Sequence, residues 1–155
     1  MMHPGNLTSE WADWTDANLP DMDALAERQR YEGFISTLWT EVKGSIVAAI
    51  GTVNKRIADG RRIECADSPT GGLALTRWSE YPVAFLDVSI DIEGGTFECL
   101  YSYAAREGDP YREQHKVWSL LAADGGLLVT DEQGRAVSSS DELARVVVEA
   151  YLANL

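Results

Sequence analysis

The chain has 155 residues, enough for one ordinary domain with a real core. Its 45% hydrophobic and 25% charged residues are a globular composition and exclude wholesale disorder. Its net charge of −12 is spread along the chain, which argues against nucleic acid and anionic lipid as partners.

No apolar run reaches the roughly 18 residues a membrane helix needs. The opening residues Met1 to Asn6 carry neither the basic patch nor the apolar stretch of a secretory signal. Cys65 and Cys99 are widely spaced and sit inside apolar strand-like runs. They read as buried, reduced thiols, with a Cys65–Cys99 bridge as the alternative should their strands be neighbours. A cytoplasmic protein is expected.

Residues 1–20 read as a leader arm ahead of a single α+β domain over 21–155. Trp11 and Trp14 are three apart and share a face if the arm forms a helical turn. They either dock on their own domain or reach over a partner subunit. From Asp21 to about Asp59 the apolar residues recur at helical steps, from Tyr31, Phe34, Ile35 and Leu38 through Trp39, Val42, Ile46, Ile50, Val53 and Ile57. Pro20 with Asp21 and Asp23 suits the start, and Gly60 the stop. Such a helix would be about 55 Å long. A domain of this size is about 35–40 Å across. The helix must therefore bend near Gly33 or Gly44, or project at one end.

A second stripe on that helix is small: Gly33, Thr37, Thr40, Gly44, Ala48 and Gly51. A mid-helix glycine costs about 1 kcal/mol relative to alanine. The stripe is explained either by close approach of the protein's own sheet or by a helix–helix seam between two copies.

Residues 61–137 read as antiparallel sheet of about six strands. The strongest signal is Val83–Glu93 and Thr96–Arg106 around Gly94-Gly95, read as a two-residue hairpin turn. Glu93 then faces Thr96, and one face pairs Ile92 with Phe97, Ile90 with Cys99, Val88 with Tyr101 and Leu86 with Tyr103. The other face is mostly polar and sets Asp91 opposite Glu98. The long helix covers the apolar face. Ser139 and Glu142 form a capping box that opens a C-terminal helix to about Asn154, with Leu143, Val146, Val147, Ala150 and Tyr151 as its apolar stripe.

The sequence holds no nucleophile elbow, metalloprotease helix or phosphate loop, so no catalytic residue and no cofactor is assigned. His115 is the one histidine in the sheet region and reads as a surface or edge residue. Two histidines and two separated cysteines do not make a four-ligand zinc site. On the polar face Asp87, Asp91, Glu93 and Glu98 cluster. They are either solvated side chains near Arg77, a weak site for a hard cation at Asp91 and Glu98, or a carboxylate acid–base pair. Trp39, Trp78, Tyr101, Tyr103 and Trp118 either line one apolar cavity between helix and sheet or fill the core.

In size, acidity and helix–sheet–helix order the chain resembles the small acidic chaperones of bacterial secretion systems. The resemblance is architectural and rests on no motif. It departs from that pattern at 107–116, which are too short, and carry a proline, for the mid-sheet helix of that family. It transfers no residue role. The expected function is a non-enzymatic protein-interaction module, adaptor- or chaperone-like, acting as a homodimer. Trp11, Trp14, Gly44 and Gly51 would carry the contacts, and another protein is a possible partner. The alternative is a small-molecule binder or enzyme using the pocket between helix and sheet.

Overall fold

The computed structural model describes residues 21–57, 62–77 and 81–155. Trp11, Trp14, Gly60 and Trp78 lie outside the described residues. The chain forms an α+β arrangement: helix α1 (Met22–Asn54), then β1 (Glu64–Asp67), β2 (Leu73–Arg77), β3 (Val83–Asp91), β4 (Thr96–Ala104), β5 (Arg112–Ala123), β6 (Gly126–Thr130) and β7 (Ala136–Val137), then helix α2 (Ser140–Leu152). The strands make one antiparallel sheet in chain order, seven strands rather than six. The extra strand is the two-residue β7, which pairs with Val129 and Thr130.

α1 begins where Asp21 caps it, its Oδ1 accepting the N–H of Asp23 at 2.9 Å and of Ala24 at 3.4 Å. Ile35, Val42, Ile46 and Ile50 are buried along one stripe. The helix ends at Asn54, short of Gly60, because the Asn54 amide turns to the incoming strand. Its Nδ2 donates to Ile63 O at 2.8 Å, and its Oδ1 accepts the Ile63 N–H at 2.9 Å. With 33 residues α1 is about 50 Å long. It is a single continuous helix, and residues 22–30 are exposed, so its first turns project.

α1 crosses the sheet obliquely. Tyr31 Oη donates to Leu120 O of β5 at 2.6 Å, Trp39 meets Phe97 of β4, and Lys43 pairs with Asp67 of β1. α2 lies beside it, with Ser45 donating to Asp141 and Ser140 to Glu41, each at 2.8 Å. Two tyrosines fasten α2 across the sheet. Tyr101 Oη donates to Val147 O at 3.2 Å, and Tyr151 Oη to Ala84 O at 3.0 Å. The capping box forms with one change. Ser139 Oγ accepts the Glu142 N–H at 3.1 Å, but the Glu142 carboxylate reaches Ser138 rather than the cap residue itself. Those bonds hold the Glu142 carboxyl below its usual range.

The β3–β4 register differs from the sequence expectation. Asp91 pairs with Thr96, so Ile90 rather than Ile92 meets Phe97, and Val88, Leu86 and Ala84 meet Cys99, Tyr101 and Tyr103. The connection is a four-residue turn over Ile92–Gly95. Asp91 Oδ1 accepts the Gly94 N–H at 2.9 Å, and Gly95 takes a φ of +65°. The slip is two residues, an even number, so every side chain keeps its expected face.

Cys65 of β1 and Cys99 of β4 are free thiols, and β1 pairs with β2 rather than β4, so the disulfide alternative falls. Burial pushes the Cys99 thiol up to about 12 and the Tyr101 and Tyr151 hydroxyls well above their ordinary range. The protonated forms are the neutral ones. A folded-state value raised above the unfolded one gives stability that is whole at low pH and is lost as pH rises. Denaturation midpoints are therefore expected to hold near neutrality and to fall once pH passes 9.0, the ordinary thiol value. A midpoint unchanged to about pH 11 would mean that these three groups are not buried.

Candidate functional site

The structure places Trp39, Tyr101 and Trp118 of the sequence-predicted aromatic residues in or against the core. Tyr101 and Trp118 are buried, and Trp39 packs against the core partly exposed. Phe97, not singled out in the sequence, sits between the two tryptophans. Its ring centroid is 6.3 Å from Trp39 and 5.6 Å from Trp118. Tyr103 is half-buried at the periphery. The sequence puts Phe97 on the apolar face, but its place between two indoles depends on what faces it across two elements, not on its own spacing.

The acidic residues of the outer sheet face are separated by the observed register. Asp91 serves the hairpin turn, and Ser89 rather than Asp91 stands opposite Glu98. Glu98 Oε1 is 3.1 Å from His115 Nε2, and its Oε2 accepts from Thr96 Oγ1 at 3.3 Å. Arg77 is not near them. It pairs with Ala84 and lies buried on the helix-covered face. Among the described residues no three His, Cys, Asp or Glu side chains gather as a metal site. No described helix is long and apolar enough to cross a membrane.

A groove of about 510 Å³ runs beside the first half of β5. One wall is Gln114–Trp118, the other is the segment from Asp131 to Val137, and Glu142 and Val146 of α2 close it. It exists because two neighbouring strands differ in length. β5 has 12 residues and β6 only 5, so β6 pairs with β5 from Ser119 to Ala123 and no further. Beyond that point the Glu132 side chain takes the place of a rung, its Oε1 accepting the Val117 N–H at 3.1 Å. The backbone edge from Arg112 to Lys116 has a strand on the β4 side alone.

The groove lining carries three acids, Asp131, Glu132 and Glu142, and two bases, Lys116 and Arg135. Asp131 Oδ1 accepts the N–H of Gln133 and of Arg135, each at 2.9 Å. Glu132 holds Val117, and Glu142 holds Ser138. These acids accept hydrogen bonds from neutral N–H groups and keep their negative charge. Arg112, Lys116 and Arg135 have no carboxylate partner among the described residues. Lys116 Nζ instead stands 5.8 Å from the Tyr101 ring centre. The overhang of β5 is the polar stretch Arg112–Lys116 ahead of its apolar run, which carries no sequence signal of an open edge.

On the outward side of α1, Gly33, Thr37, Thr40, Gly44, Ala48 and Gly51 are all exposed, and Val47 is 43% exposed beside them. A Cβ added at Gly33, Gly44 or Gly51 would meet nothing within 4 Å. The close-sheet explanation of these glycines is therefore overturned: α1 turns its large side chains, not its small ones, to the sheet. Comparison with protein-family models, curated proteins and solved structures finds no match for this chain.

Proposed function

We propose that the protein is a non-enzymatic interaction module that works as a homodimer, two copies meeting along the outward face of α1. The observation that supports this reading is a stripe of six exposed, uncharged small residues on a chain of net charge −12. Two copies of so acidic a molecule repel one another over most of their surface. They approach at less electrostatic cost along a stripe whose own residues carry no charge. Small residues let helix backbones come close, and the helical cost of the glycines is offset only if something uses that closeness.

The test is the solution mass across a dilution series, together with Gly44→Ala. In a monomer this substitution meets open space and replaces a poor helix former by the best one. It should raise thermal stability by about 0.5–1 kcal/mol. In a helix–helix seam the added methyl separates the backbones. The expected result is twice the monomer mass for the parent chain and a dilution midpoint shifted to higher concentration for Gly44→Ala. A monomer mass at every concentration sinks the reading.

A further inference from the structure

We infer that the projecting first turns of α1, Met22–Arg30, dock antiparallel on the second half of the partner's α1, with Asp23 beside the partner's Lys55. This inference rests on the homodimer reading and adds the direction, the register and an ion pair. Residues 22–30 are all exposed, Met22 at 66%. Such turns gain little from their own domain, and the stability of helices in proteins comes mostly from packing.

Charge decides the direction. The start of α1 carries Asp21, Asp23, Glu27 and Glu32 against Arg28 and Arg30, an excess of two negative charges. From Gly33 to Asn54 the only charged residues are Glu41 and Lys43, which cancel. Lys55 and Arg56 close the helix with two positive charges and no carboxylate partner among the described residues. The backbone dipole opposes this polarity with about half a charge at each end, too little to reverse it. On the adjacent α2, Arg145 stands 4.0 Å from Glu149. Asp141 is held at Ser45, about 15 Å along α1 from Lys55 and beyond the screening length. A parallel two-fold seam sets every charge beside its own copy, Asp23 by Asp23 and Lys55 by Lys55. Like charges so placed repel. The antiparallel seam sets the acidic start of each helix on the basic end of the other.

The helical period sets the register. Steps of three and four from Gly33 toward the start give Arg30, Ala26 and Met22, and a step from Gly51 gives Lys55, so these residues continue the outward stripe. With Met22 against the partner's Lys55, Ala26 falls against the partner's Gly51, Arg30 against the partner's Val47 and Gly33 against the partner's Gly44. No charge on either helix then faces a like charge. The Arg30 stem covers exposed Val47. A slip of two turns, about seven residues, sets Arg28 against the partner's Arg56 and is disfavoured.

The experiment uses the full chain carrying Cys65→Ser, which leaves Cys99 as a buried thiol. Gln29→Cys and Ala48→Cys, opposed in this register, are placed in separate chains. The chains are oxidised alone, and together after dilution and reconcentration have exchanged subunits. A disulfide forms only where Cα atoms come within about 7 Å. The expected result is a linked dimer from the mixture and none from either chain alone. Self-linked dimers from each chain alone would overturn the antiparallel direction. No link in the mixture, while the solution mass before oxidation is that of a dimer, would overturn the register. A monomer mass before oxidation would instead refute the dimer reading, and this inference with it. For the ion pair, Lys55→Glu is expected to raise the dimer dissociation constant about threefold to tenfold, and Asp23→Lys added to it to restore tight association. A double variant no tighter than Lys55→Glu would remove the pair.

Discussion

Phe97→Ala is expected to lower the folding free energy by about 3–5 kcal/mol. The ring is fully buried at the centre of the sheet, with Trp39 of α1 on one side and Trp118 of β5 on the other. Removing it takes away transfer energy and leaves a cavity walled by two large indoles that cannot collapse without moving a helix and a strand together. Domain stabilities run to about 5–15 kcal/mol, so this one change consumes a large share. Urea denaturation measures the loss. The intrinsic fluorescence of Trp39 and Trp118 should shift to the red as water reaches the gap. A cost below about 1 kcal/mol would mean that the rings surround space rather than fill it. The alternative of a small molecule held between helix and sheet would then return.

Arg77→Met has the opposite expected sign, a gain of about 1–3 kcal/mol. Arg77 is 8% exposed on the helix-covered face, and its Nε finds no hydrogen-bond partner among the described residues. A buried guanidinium donor without an acceptor bears the full cost of leaving water. One effect works for the arginine. It lies near Tyr151, in the last turns of α2, where no residue of the helix itself is basic and the carbonyl ends carry partial negative charge. That attraction is about 0.3–1 kcal/mol, less than the desolvation it must offset. Methionine keeps the unbranched stem and drops the charge. Thermal denaturation of the two proteins decides the matter: a loss of stability in Arg77→Met would show that the end of α2 depends on the cation more than the burial costs.

Most of the fold was legible because its elements announce themselves locally. The helical steps from Tyr31 to Val53, the runs on either side of Gly94-Gly95 and the Ser139 cap each depend on residues a few positions apart. The hairpin register was not legible, because a side chain fixed it. Asp91 takes the Gly94 N–H and turns a two-residue connection into a four-residue one. The end of α1 was missed for a like reason, since Asn54 answers to Ile63 across a gap the helical period does not see. Sites were harder still. The spacing of Lys116 and Arg135 says nothing of a groove, which arises from where β6 stops.

The sheet follows the chain strand by strand, and this orders its assembly in time. Each pairing from β1 to β7 joins sequence neighbours through a short connection, so the loop to be closed is small at every step. Such a sheet grows like a folded ribbon, each hairpin offering its edge to the next stretch of chain as that stretch arrives. The helices obey another clock. Tyr31 waits for Leu120, Ser45 for Asp141 and Tyr101 for Val147. These are distant meetings, costly in chain entropy and slow to form. Until α2 leaves the ribosome, the apolar face of the sheet lacks one of the two described helices that cover it. A nascent chain halted before Ser140 would carry part of that face bare, which makes the thirteen-residue α2 the step that covers it.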